Sequence, residues 1–225
     1  MDDELRRFLA SARGTAATAK ILPFDELRAR HGEPAAARWG LDVMRGRLVE
    51  LSARGASATL TAAIELVAEA QAQAEPVAWI ASAASTFYPP DVAETGVDLA
   101  ALVVVRAPDA AAAARSAERL LRSGAFGLIV IDLVRSAVEM PMPIQGRLVT
   151  LAQTHDAAVA CLTEKTEDTV SLGSLVSLRA EAARTRAAGG VAGAEGFRVS
   201  VRVLKDKQRG PGWTHVLSRR GPSGL

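Results

Sequence analysis

From residue 46 onward the apolar positions fall into short runs separated by stretches with a helical period. Residues 47–51 read as a strand, Ser57 as the cap of a helix reaching about residue 73, and residues 76–80 as a second strand. Residues 102–105 follow as a third. Asp109 then caps an alanine-rich helix that ends before Gly124, with Arg119 and Arg122 in its last turns. Residues 127–132 form an almost unbroken apolar strand, and a helix near 144–153 precedes another strand at 157–162. Apolar strands separated by helices indicate a parallel sheet covered on both faces. Residues 172–179, 197–204 and 213–217 alternate apolar and polar, with no helix between them long enough for a crossover. They read as an antiparallel extension. The expected class is α/β: a mostly parallel, doubly wound sheet with helices on both faces and an antiparallel C-terminal extension.

The first 45 residues differ from this pattern. A short amphipathic helix carries Leu5, Phe8 and Leu9 on one stripe, and residues 11–20 are small and polar, as in a linker. A second short helix follows Pro23 through Leu27 and stops near Gly32 and Pro34. The expected organisation is an N-terminal helix and linker at 1–45, a core domain at 46–217 and a basic tail at 218–225. Residues 187–196 are of low complexity and read as a hairpin loop.

Composition narrows the class. With 225 residues, 49% of them apolar, the chain suits one domain with a substantial core and is no disordered polymer. No apolar run reaches the ~18 residues that span a bilayer, and the N-terminus opens acidic, unlike a signal peptide. A single cysteine, Cys161, lies in an apolar strand, where a small buried residue is expected rather than a reactive thiol. These features point to the cytoplasm. Net charge is only +2, but its distribution is uneven. From Arg198 onward the basic residues are Arg198, Arg202, Lys205, Lys207, Arg209, Arg219 and Arg220, against one acid, Asp206. That end either meets nucleic acid or an acidic protein surface, or is simply solvated.

Familiar chemistry is missing. His31, His155 and His215 are far apart in sequence and there is one cysteine, so no metal-ligand spacing exists. No G-x-S-x-G elbow occurs. Trp39, Trp79, Trp213, Phe87 and Tyr88 read as core or interface anchors rather than a base-stacking platform.

Several segments, in order, resemble RecA-family recombinases. Gly46-Arg47-Leu48-Val49-Glu50-Leu51 resembles the strand entering that family's P-loop, and Thr59-Leu60-Thr61 the start of the helix leaving it. Gly96-Val97-Asp98 matches a short family turn, and Gly127-Leu128-Ile129-Val130-Ile131-Asp132 the Walker B strand. Ser177-Leu178-Arg179-Ala180-Glu181 and the run from Val201 to Lys207 resemble two late strands of the RecA core. The resemblance implies a RecA-like fold.

The departures are more informative. A P-loop needs G-x-x-x-x-G-K-[ST], because glycines expose backbone N–H groups to phosphates, lysine reaches the outer phosphates and Ser/Thr holds magnesium. Here Ser52-Ala53-Arg54-Gly55-Ala56-Ser57-Ala58-Thr59 is about two residues shorter, with one glycine and no lysine. Arg54, Gly55, Ser57 and Thr59 are therefore the remnants of a degenerate P-loop. The stretch that matches the catalytic glutamate's position, Ala81-Ser82-Ala83-Ala84-Ser85, contains no acid, so nothing there activates water. Asp132 survives where a magnesium ligand would sit, with a structural or inherited role expected. No catalytic residue, metal or cofactor is expected. Of the two long DNA-binding loops of the recombinases, the first is reduced to residues 136–143. The second is reduced to residues 164–171, where Glu164 stands near the ATP-sensing glutamine and Glu167 and Asp168 are acidic. Phosphate contacts dominate nucleic-acid affinity, so DNA binding is expected to be weak or indirect. Lys205 and Lys207 match a pair that reaches a neighbour's nucleotide in RecA filaments. Here they either keep a protein-contact role or are solvated.

A RecA-like domain without nucleotide chemistry, short at its N-terminus and basic at its end, resembles the ImuA family. Those are damage-inducible, SOS-regulated accessory factors that act with ImuB in mutagenic translesion DNA synthesis. The resemblance implies a non-catalytic adaptor that binds ImuB, RecA or both, with Lys205, Lys207, Arg209, Arg219 and Arg220 as the partner-binding candidates. Homo-oligomers are compatible with it, and a membrane is not expected. Two alternatives stay open: a SulA-like cell-division inhibitor whose target is FtsZ, and a RecA-family recombination protein with residual ATP binding.

Overall fold

The strands expected from the apolar runs assemble into one eight-stranded sheet ordered β3-β2-β4-β5-β1-β6-β7-β8. The computed structural model describes residues 38–55, 57–83, 85, 87–135, 140–186 and 196–220. The expected N-terminal helices and linker, the loop at 187–195 and the last five residues lie outside them. The described residues belong to a single unit, Arg38–Leu225.

Six strands run parallel: β1 (Arg47–Ser52), β2 (Val77–Ser82), β3 (Leu102–Ala107), β4 (Leu128–Asp132), β5 (Ala158–Thr163) and β6 (Leu178–Arg186). β7 (Gly196–Asp206) pairs antiparallel with β6, and β8 (Thr214–Arg220) pairs antiparallel with β7. The order arises because β1 lies in the interior of the sheet, between β5 and β6.

Successive residues of a strand face opposite sides, and the buried positions divide accordingly. Val49, Leu51, Val77, Trp79, Leu128 and Val130 face α1 (Thr59–Ala72), together with Leu66 and Val67 of that helix. A helix of five residues, α2 (Pro89–Ala93), follows β2. On the other face Leu48, Ala78, Ile80, Ile129, Ile131, Val159 and Cys161 pack with α3 (Ala110–Arg122) and α4 (Met142–Thr154). Each fully buried Leu or Ile side chain contributes about 1.5–3 kcal/mol of transfer free energy. Asp109 caps α3 as expected, accepting from the Ala112 N–H at 2.6 Å.

Four details depart from the sequence reading. The core begins before residue 46: Trp39, Leu41, Val43 and Met44 are buried in the α1-side cluster, and the Leu41 N–H donates to Glu69 of α1 at 3.3 Å. Residues 172–177 are not a strand, because their backbone is drawn into turn and side-chain contacts, and β6 starts at Leu178. β6 is also parallel to β1, so the antiparallel extension contains only β7 and β8. Ser218, Arg219 and Arg220 continue β8, paired with Arg198, Phe197 and Gly196, where a tail was expected.

Candidate functional site

The turn between β1 and α1 carries the residues that the sequence suggests are remnants of a P-loop. Gly55 adopts a left-handed φ of 77°, which lets the chain reverse immediately after β1. The reversal is tight enough for Ser57 to form an isolated antiparallel bridge with Ala183 of β6. The backbone donors are consumed as a result. The Ser57 N–H donates to Gly55 O at 2.7 Å and the Ala58 N–H to Ala182 O at 2.9 Å. The Thr59 N–H turns to Ser57 Oγ at 3.3 Å, and the two hydroxyls of Ser57 and Thr59 lie 2.9 Å apart. Ser57 is thus not the N-cap; Ala58 is, and it has no side chain with which to cap. Arg54 is exposed, before the helix.

The adjoining cavity is about 210 Å³ and is lined by Gly55, Ser57, Thr59, Arg135, Thr163 and Glu164 among others. That is below the ~300 Å³ at which small-molecule sites usually begin. Glu164 adds an exposed acid to that lining. Asp132 does not line it. Fully buried at the end of β4, it accepts from the Ser85 hydroxyl at 2.5 Å and from the Val134 N–H at 3.1 Å. Burial pushes its carboxyl above the usual value, opposed by those two hydrogen bonds. Among the described residues, no group of three His, Cys, Asp or Glu could hold a metal ion.

The basic candidates separate. Asp206, between Lys205 and Lys207, is buried against Arg47 at 2.7 Å. All five Arg47 N–H donors find acceptors: Ser177 Oγ and O, Val43 O, Gln208 Oε1 and Asp206 Oδ1. This pins the end of β7 to β1. Lys207 Nζ donates to Ser174 O at 2.8 Å, whereas Lys205 is half-buried. Burial lowers the Lys205 pKa, with further lowering from Lys207 and Arg179 set against Glu50. Arg202 is held by Glu181 and Glu167. Arg209 is exposed in the turn after β7. Arg219 and Arg220 end β8.

Sequence reasoning missed the clamp around Glu50. This buried carboxylate accepts from Thr163 Oγ1 at 2.8 Å and the Leu172 N–H at 2.7 Å, and it faces Lys165 at 3.1 Å. Arg179, also buried, donates to the carbonyls of Thr166 and Thr169. The signal was present: a glutamate inside Leu48-Val49-Glu50-Leu51 must find partners when the strand is buried.

A model of the RecA N-terminal domain matches residues 36–165. The chain belongs to that family. Among its relatives, Protein RecA of Fusobacterium nucleatum is 33% identical over 118 residues, covering 48% of this chain and 31% of the relative. Protein RecA of Clostridium acetobutylicum is 38% identical over 96 residues, covering 43% and 27% respectively. That of Nocardioides sp. is 41% identical over 95 residues, covering 42% and 27%. The match therefore spans less than a third of each of these relatives. The mostly parallel sheet with antiparallel last strands is the RecA-like architecture.

Proposed function

We propose that this RecA-family chain is a non-catalytic accessory protein of damage-induced, mutagenic translesion DNA synthesis, acting through protein contacts in the manner of ImuA. The observation that carries the non-catalytic part is the closure of the β1–α1 turn. Its successive N–H groups at Ser57, Ala58 and Thr59 are bonded within the protein. Binding a nucleotide there would require breaking them, without a lysine to compensate. The absence of an acid between Ala81 and Ser85 supports the same reading, since no group there could orient water.

The role in DNA damage rests on the family relationship, and the choice of ImuB and RecA as partners on the resemblance to ImuA. Lys205, Lys207, Arg209, Arg219 and Arg220 are the contact residues this reading favours. Co-purification of the tagged full-length chain with ImuB, RecA or FtsZ, each supplied pure, separates the outcomes. Retention of ImuB or RecA supports the proposal; retention of FtsZ alone overturns it in favour of division control.

A further inference from the structure

The register of the last three strands brings arginines to one end of the ribbon they form. Thr185 of β6, Arg198 of β7 and Ser218 of β8 lie side by side, as do Arg186, Phe197 and Arg219. Arg184 pairs with Val199, and Arg220 with Gly196. The stretches that carry these five arginines, 183–186, 196–200 and 216–220, contain no aspartate or glutamate. Arg202, further along β7, is held by Glu167 and Glu181. Arg184 and Arg198 are exposed and, among the described residues, have no acidic partner.

This end is distinct from the one that carries Lys205 and Arg209. Arg198 and Lys205 both belong to β7 and are separated by about 23 Å of strand at the usual rise per residue. Charge at the Lys205 end is partly engaged, since Asp206 is buried against Arg47 and Lys207 donates to Ser174 O.

The edge decides the class of occupant. β8 is the last strand of the sheet, with no strand on its outer side among the described residues. Thr214 and Val216 are exposed along it, Val216 by 50%. An outermost strand accepts an extended peptide as a further strand, main chain to main chain, and its side chains select the sequence. Arginines beside such an edge repel basic strands and admit acidic ones, because a guanidinium binds a carboxylate through two parallel hydrogen bonds. Single-stranded nucleic acid is also anionic, but its platforms stack bases on exposed aromatic rings. Phe197 packs against the α1-side core, and the large aromatic side chain exposed among the described residues is Tyr88, just before α2. We infer that β8 and the arginine end of the ribbon receive an extended acidic segment of a partner protein, added to the sheet as a further strand. This rests on the accessory reading above and gives its contact a chemistry.

The test uses the full-length chain and a short fluorescent peptide alternating glutamate with valine, followed by anisotropy. Saturable binding is expected. Arg184→Glu combined with Arg198→Glu should weaken it about tenfold at low salt, where attraction becomes repulsion, and added salt should shrink the difference. Both positions are exposed, so the melting curve should match the parent. Arg119→Glu, at an exposed position of α3, makes the same kind of charge change and should leave binding as in the parent. Peptide variants probe the contact without altering the protein. Lysine in place of glutamate should abolish binding. N-methylation of alternate backbone amides keeps the charge, removes the strand donors and should weaken binding about tenfold or more. The proposal is overturned if the parent shows no saturable binding, if the N-methylated peptide binds equally, or if Arg119→Glu weakens binding as much as the paired variant. Displacement of the peptide by a single-stranded oligonucleotide also overturns it, by making this end a phosphate site. Failure of the peptide while ImuB or RecA still co-purifies removes this surface and leaves the accessory reading standing.

Discussion

The Ser85 hydroxyl donates to Asp132 Oδ2 across 2.5 Å, joining the loop after β2 to the end of β4. Ser85 Oγ in turn accepts from the Phe87 N–H at 3.0 Å, and the Phe87 ring stacks on Trp79 with centroids 4.5 Å apart. The carboxylate therefore organises a loop and its aromatic anchor. Burial raises the folded-state pKa of Asp132 above the ordinary 3.8. A raised value means that its contribution is complete below the unfolded pKa and is lost as pH rises through the folded one. Asp132→Asn cannot ionise. Unfolding free energies measured between about pH 4 and pH 8 should shift in the variant's favour, relative to the parent, as pH rises. A constant difference would show that Asp132 stays ionised throughout.

Arg47 and Asp206 predict the opposite sign. Burial would raise the Asp206 carboxyl, but hydrogen bonds from the Gln208 N–H, Arg47 and the Arg209 N–H hold it below 3.8. Its stabilisation is present above the unfolded value and disappears as pH falls through the folded one. At neutral pH, Asp206→Ala leaves Arg47 buried without its partner and should cost about 3–5 kcal/mol. Arg47→Met combined with Asp206→Leu should recover part of that loss. Denaturant titration of the two single variants and the double variant checks both statements.

Gly173 makes a third prediction. A Cβ there would lie 1.9 Å from Gln145 Nε2. The amide is no free end, since it bridges Met140 O and the Leu175 N–H. Gly173→Ala should displace it and cost about 1–3 kcal/mol by leaving buried polar groups unpaired. Thermal unfolding should show a lower Tm, and a Tm unchanged from the parent would mean that Gln145 can move without loss.

For partner binding, Lys205→Glu with Arg209→Glu should weaken association with RecA or ImuB more than the matching alanine pair. The difference should shrink in salt, because charge reversal adds repulsion. Circular dichroism must first show the same fold. Association unchanged in the charge-reversed protein would move the interface elsewhere.

The strands of the parallel sheet were legible because buried strands are continuous apolar runs, as at Leu128–Asp132. The Asp109 cap was legible for a local reason: cap and recipient N–H are three residues apart. What escaped depends on contacts distant in sequence. Residues 172–177 alternate like a strand, but Glu50 takes the Leu172 N–H from 122 residues away. The missing lysine was visible in the sequence. The bond from the Ala58 N–H to Ala182 was not, because it exists only once β6 lies beside β1.

The most direct measurement is calorimetric titration of the full-length chain with Mg-ATP. The closed turn at Ser57, Ala58 and Thr59 predicts no saturable heat at millimolar nucleotide. Saturable binding with a Kd below ~100 μM, more than ~5 kcal/mol of binding free energy, would mean that the turn opens and that the nucleotide-free account is wrong.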